Sequence, residues 1–198
     1  MLDFFFQGNF LRKERKTTNV ALVGPGAGKN SKTTKFTEEI LKQIKYVILD
    51  ADSLNSFQKK TKKLLKYLDR NKLVTPHQAE FHRLFPAIKK NLNNKEKVLK
   101  FLKLCKSNIL LKGNTTVIGS PDKIVINKHT SSELAVIGSG DVLAGIITSL
   151  VGDKKMSMNE AASAATWIHG DIAKRHGRGL ISEDLIRGIP SALQRLKK

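Results

Sequence analysis

The residues best suited to chemistry sit in Gly138-Ser139-Gly140-Asp141-Val142-Leu143-Ala144-Gly145, where small residues precede an acid and an apolar helical run follows. At a helix N-terminus the first N–H groups have no intrahelical partner, so such a segment can receive the oxygens of an anion. The same field is expected to hold Asp141, in the first turn, ionised. A carboxylate beside an anion-binding turn suits phosphoryl transfer to a hydroxyl: the base takes the proton while the turn stabilises charge on the moving group. An ordinary capped helix with an acid in its first turn has the same composition, and the octet alone leaves both readings open. The earlier cluster Gly24-Pro25-Gly26-Ala27-Gly28 meets neither phosphate-loop pattern. A Walker A loop needs glycine at position 23 and a hydroxyl at position 30, where this chain has Val23 and Asn30. A dinucleotide fingerprint starting at Gly24 needs glycine at position 29, which is Lys29. By itself the cluster reads as a tight strand-to-helix turn.

Three further polar groups join these two: Asp50-Ala51-Asp52, Thr75-Pro76-His77 and Lys112-Gly113-Asn114-Thr115-Thr116. Asp50 and Asp52 have the chemistry to hold Mg²⁺ through water, an ion that keeps much of its hydration and takes one or two carboxylates. Capping of the following helix accounts for Asp52 equally well. Asn55 would orient Asp52 or shape the turn. His169 and His176 have no ligand partners at metal-binding spacing and read as structural. Trp167 falls at helical spacing with Ala164 and Ile168 and reads as a packing residue. Cys105 follows Val98, Phe101 and Leu102 at helical spacing, which suggests a small core residue.

The elements that must carry these groups alternate in type. Asn19 to Val23 is a short apolar run that breaks into the first glycine cluster, and Thr33 to Ile44 follows with helical spacing. Tyr46 to Leu49 is a second strand stopped by Asp50, Leu64, Leu65 and Leu68 mark a helical region, and Leu73-Val74 leads into Thr75. Strands alternating with helices imply α/β architecture, a mostly parallel sheet with helices on both faces. Ile109 to Leu111, Thr116 to Ile118 and Ile124 to Ile126 follow one another too closely for crossover helices and are expected to form an antiparallel or mixed edge. Three helices complete the chain, Val142 to Val151, Asn159 to Lys174 and Glu183 to Leu196, with Ser182 the expected N-cap of the last. Ligands of open α/β sheets bind outside the carboxyl ends of the strands, where all the polar clusters fall.

Composition narrows the class. The 198 residues suit one domain, and 40% hydrophobic content supports a sizeable core. Thirty-six Lys and Arg against 17 Asp and Glu give a formal charge of +19, which favours anionic partners. The lysines are dispersed and only 6% of residues are aromatic, so no stacking stripe for single strands is visible and nucleic acid is a disfavoured partner. One cysteine excludes an intramolecular disulfide framework and fits a reducing, cytoplasmic setting. No apolar run approaches the ~18 residues a membrane-crossing helix needs.

Taken in order, GPGAG, VILDADSLN, LVTPHQAEF, LLKGNTTVI and GSGDVLAG resemble the ADP- or ATP-dependent NAD(P)H-hydrate dehydratases of the ribokinase-like superfamily. EAASAATWIHGDIA is similar to that family's helix after the signature, and the likeness runs from about Asn19 to the C-terminus. The resemblance implies a ribokinase-like fold and ATP- or ADP-dependent return of hydrated NADH or NADPH (NADHX, NADPHX) to the reduced cofactor, with Mg²⁺. It implies that Asp141 contacts the hydrated nicotinamide and acts as base, and that His77 with Gly26 and Gly28 lines the substrate pocket. Lys112, Gly113, Asn114, Thr115 and Thr116, with Gly138, Ser139 and Gly140, would contact the nucleotide.

Relatives have a substantial segment before the first glycine cluster, whereas MLDFFFQGNFLRKERK resembles no part of it. Residues 1–18 are therefore expected to be an atypical extension and 19–198 the domain, with the first strands missing. An incompletely covered sheet would call for a homo-oligomer or a complementing N-terminal chain. Relatives also tend to have a glycine-containing stretch where this chain has Thr130 to Glu133, and Pro-Gly where it has Gln78-Ala79. Two alternatives stand beside this reading: an inactive remnant that binds nucleotide or a partner chain, favoured by the short start, and a ribokinase-like kinase of a small molecule using the same Asp141 and anion-binding turn.

Overall fold

The computed structural model describes residues 19–196; the expected extension at 1–18 lies outside them. Strands β1 (Val20–Val23), β2 (Tyr46–Leu49), β3 (Lys72–Val74) and β4 (Asn108–Leu111) alternate with helices α1 (Ser31–Gln43), α2 (Ala51–Asn55), α3 (Thr61–Leu65), α4 (Gln78–Leu84) and α5 (Asn94–Leu102). β5 (Thr116–Gly119) and β6 (Ile124–Asn127) follow, then α6 (Ser139–Gly152), α7 (Met158–His176) and α8 (Ser182–Arg195). The six strands form one sheet in the order β1-β2-β3-β4-β5-β6. β1 to β4 are parallel, and β4-β5 and β5-β6 are antiparallel, which is the mixed edge read from the close spacing of the last three strands.

Strands buried on both faces read as continuous apolar runs, and Val47, Ile48 and Leu49 are all fully buried. Alternate side chains point to opposite faces, so the strand residues divide between two cores. Val47, Leu49, Val74, Ile109 and Leu111 join Ile40, Phe57, Phe81 and Phe101 beneath α1 to α5. Ile48, Leu73, Leu110 and Ile118 join Leu143, Ile147, Ala165 and Ile168 beneath α6 to α8. The α5 side closes tightly on the sheet, since a Cβ at Gly119 would come within 2.3 Å of Val98 Cγ1. No helix among the described residues is long and apolar enough to cross a membrane.

The structure corrects the expected cap of the last helix. Ser182 is the first residue of α8, and its hydroxyl donates to the Ile137 carbonyl; Ile181 occupies the N-cap, its N–H donating to Asp184 Oδ2 at 3.1 Å. As the first helical residue, Ser182 uses its hydroxyl on a neighbouring loop instead of on its own helix. Cys105 lies beyond the end of α5 and is half-buried against the first core, and burial pushes its thiol up to about 11. Trp167 packs partly against the second core and stacks on His129, ring centroids 5.1 Å apart.

Candidate active site

Three strand ends converge on one buried ion pair. Asp50, directly after β2, is 1% exposed, and its Oδ1 lies 2.8 Å from Lys112 Nζ at the end of β4 and 2.8 Å from the Thr75 hydroxyl at the end of β3. A buried carboxylate is tolerated only when paired and hydrogen-bonded, and this one has both kinds of partner. The next residue, Ala51, has φ +46°, a left-handed conformation costing an alanine on the order of 1 kcal/mol. The turn that aims Asp50 therefore holds strain, a common property of functional sites.

The first glycine loop packs on this turn. A Cβ at Gly24 would lie 1.7 Å from the Asp50 carbonyl oxygen, so no other residue fits there without a backbone shift. Gly28 donates its N–H to Asp52 Oδ2 at 2.8 Å, whereas a Cβ at Gly26 would meet nothing within 4 Å. Asp52 thus serves the neighbouring loop instead of capping its own helix. Asn55 does not orient Asp52; it donates to Glu80 Oε1 at 3.4 Å and accepts from Arg83 at 3.2 Å, tying α2 to α4.

His77 is the N-cap of α4. Its Nδ1 accepts from Ala79 N at 3.1 Å and Glu80 N at 3.5 Å, while Glu80 Oε2 accepts the His77 N–H at 2.9 Å. Nδ1 is consequently unprotonated, and Nε2 stands 3.6 Å from Glu80 Oε2 on a side chain that is 50% exposed. Burial holds the imidazole below its ordinary value, opposed by Glu80 and reinforced by Lys112. A parallel bridge between His77 and Lys112, with Lys112 N donating to the Pro76 carbonyl at 2.9 Å, joins the ends of β3 and β4.

From the opposite side comes the N-terminus of α6. Gly138 takes φ +83° as the N-cap, where a Cβ would strike Ser182 Oγ at 2.7 Å. A Cβ at Gly140 would stand 3.4 Å from Lys112 Nζ and 3.9 Å from Asp50 Oδ2, so the turn lies against the ion pair. Asp141, one residue on, is exposed. Its carboxyl is raised above the ordinary range by partial burial first, then by Asp50, with Lys112 opposing and Asp52 adding. Sequence reasoning expected the helix field to dominate; the neighbouring carboxylates and lost hydration outweigh it. An apolar groove of about 450 Å³ opens from Asp141 along α6, walled by Val142, Ile146 and Leu150 and facing Ile186 and Ile189 of α8.

The expected site residues are thus partly assembled. Asp50, Lys112, Gly140 and Asp141 cluster, Gly24 to Gly28 adjoin them through Asp50 and Asp52, and His77 adjoins through Lys112. Gly113, Asn114 and Thr115 form an exposed turn, and the Thr116 hydroxyl donates to the Gly113 carbonyl at 3.2 Å. One residue read from the sequence as structural lies directly under the site. His169 of α7 is 5% exposed, its Nε2 stands 3.1 Å from the Ser139 hydroxyl, and burial lowers its pKa to about 4, so it is a neutral histidine under the signature turn. The available signal was a polar residue on the buried stripe of Ala165, Ile168 and Ile172.

Known proteins resemble this chain in sequence and in fold. The bifunctional NAD(P)H-hydrate repair enzyme Nnr of Moorella thermoacetica is 33% identical over 190 residues, covering 91% of this chain and 35% of the relative. The ADP-dependent (S)-NAD(P)H-hydrate dehydratase of Neisseria meningitidis is 35% identical over 167 residues, 81% of this chain and 56% of the relative. The chain therefore spans about a third to about half the length of these curated relatives. Among solved structures, a ribokinase-like superfamily protein of Enterococcus faecalis matches with TM-score 0.84 at 21% identity over 96% of this chain and 68% of its own. The ADP/ATP-dependent NAD(P)H-hydrate dehydratase of Bacillus subtilis matches with TM-score 0.73 at 23% identity over 92% and 70%. Both show the ribokinase-like fold. The sequence profile of the NAD(P)H-hydrate dehydratase family matches residues 6–191, and this chain belongs to that family.

Proposed function

We propose that this domain restores hydrated NADH or NADPH to the reduced cofactor with ATP or ADP as phosphoryl donor. The ring hydroxyl oxygen attacks the terminal phosphorus, its proton passes to Asp141, and the bond to the rest of the nucleotide breaks. The phosphate then departs with the electrons of its bond to carbon, the neighbouring ring carbon gives up a proton, and the double bond returns. Phosphorylation turns a poor leaving group into a good one. Lys112 and the N–H of Gly140 would stabilise charge on the transferred group, and His77, Gly26 and Gly28 would line the ring pocket.

The observation that carries this reading is the packing of Gly140 against the Lys112–Asp50 pair, with a raised carboxyl at Asp141 beside it. A base is most effective when its pKa approaches the working pH, and the shift at Asp141 is in that direction. Magnesium usually accompanies nucleotide phosphates. Asp50 and Asp52 are engaged with Lys112 and the Gly28 N–H, so they would hold the ion through water.

The test is incubation of the chain with hydrated NADH and ATP or ADP. Return of the reduced-nicotinamide absorbance, matched by phosphate release, is expected. Nucleotide binding without restoration would refute the reading, and a stable phosphorylated product without phosphate release would point to a kinase.

A further inference from the structure

We propose that Lys97, Gln78 and Asn94 form a directional hydrogen-bond relay that positions the Lys112 to Thr116 turn for nucleotide, making Gln78 a positioning residue of the site. The inference rests on the reading of that turn as a nucleotide contact.

The relay begins at a buried cation. Lys97 of α5 is 5% exposed, and its ammonium donates to Gln78 Oε1 at 2.9 Å. An ammonium has donors only, so this contact fixes which end of the Gln78 amide faces it. The other end, Nε2, donates to Asn94 Oδ1 at 2.8 Å and to the Lys112 carbonyl at 3.3 Å. With its oxygen occupied, Asn94 turns Nδ2 to the Thr115 carbonyl at 2.7 Å. Each amide orientation follows from the one before, and a charged donor at the head polarises the chain.

Both ends of an otherwise exposed turn are thereby tied to α4 and α5 through their carbonyls. In a trans peptide the C=O and the following N–H point in opposite directions, so holding the Lys112 carbonyl on Gln78 aims the Gly113 N–H away from α4. The turn lies close on the two amides, since a Cβ at Gly113 would come within 3.1 Å of Asn94 Nδ2 and 3.6 Å of Gln78 Nε2. Its middle member, Gln78, directly follows His77, and its last bond falls on the segment that carries the Asp50 partner, so the relay links the two strand ends that frame the site.

The decisive variants are Gln78→Met, Asn94→Ala, their combination, and Gln78→Glu, each titrated with ADP by calorimetry and melted without nucleotide. Each neutral single variant is expected to weaken ADP binding roughly five-fold, and the combination to weaken it no more than the stronger single, as members of one network do. Gln78→Glu separates positioning from general stability. Its carboxylate pairs with Lys97 but cannot donate to Asn94 or Lys112, so the melting temperature should hold or rise while ADP binding falls. Unchanged ADP affinity in a folded Gln78→Met, multiplicative losses in the combination, or binding that follows stability in Gln78→Glu would each overturn the relay. Failure of the wild-type chain to bind ADP or ATP would also overturn it, whereas binding without hydrate turnover would refute only the dehydratase reading.

Discussion

Asp50 and Asp141 act on each other electrostatically, yet the fold treats them in opposite ways. Asp50 is buried at a strand end with Lys112 and Thr75 on one oxygen; Asp141 is exposed at a helix start, raised by lost hydration and by Asp50 itself. The first carboxylate organises charge and the second is left free to accept a proton. Proximity of two acids therefore does not make them interchangeable: the partner set decides which is held and which stays open to solvent.

The sharpest way to break this division is Asp141→Asn. With the base removed, hydrate restoration should fall by ~10²–10⁴ while calorimetry still detects nucleotide. Turnover within a few-fold of wild type would show that the free carboxylate is not the base. Next in size is Lys112→Met, which strands the Asp50 charge. Breaking a buried pair costs about 3–5 kcal/mol, and the low end applies because Lys112 keeps 22% of its side-chain exposure. The shift of the urea midpoint reads it, and a change under about 1 kcal/mol would mean that Asp50 is adequately held by Thr75 alone.

The smallest effect concerns stability and has a sign that distinguishes the two acids. A carboxyl raised in the folded state opposes folding once it ionises, so the penalty at Asp141 is absent in acid and appears as pH rises through its folded value. Asp141→Asn should accordingly be slightly more stable than wild type at neutral pH and equal to it in acid. A variant less stable at neutral pH would mean that Asp141 makes favourable contacts in the folded chain.

Much of this site was legible because its parts lie at strand ends, and strand ends announce themselves as apolar runs broken by Gly, Asp or Pro. The run at Tyr46 to Leu49 stopped by Asp50, and the octet at Gly138, placed two halves of the cluster. The pairing of Lys112 with Asp50 was not legible, because it spans 62 residues and leaves no periodic trace. Gln78 and Ala79 were visible only as departures from relatives, and their helix was not anticipated, since seven residues of α4 give too little periodicity. Lys97 shows the limit most clearly: in a chain with 36 Lys and Arg, nothing local marks it or Lys72 as the lysines that end up buried. Ser182 failed differently, because a hydroxyl with a competing tertiary carbonyl abandons the cap its position suggests.

The sheet order bears on synthesis as well as on the finished molecule. Because the described strands lie in chain order, each one leaving the ribosome finds its neighbour already present, and none waits for a later partner. The two faces mature at different times. Helices α1 to α5 arrive between the strands and cover their side as the sheet grows, whereas Ile48, Leu73, Leu110 and Ile118 stay open until α6 and α7 emerge. At roughly 5–20 residues per second, that leaves a nascent half-sheet with one bare apolar face for several seconds. The helix that carries Asp141 in its first turn is the first of the three that cover this face, so that turn emerges while the face still waits for α7 and α8.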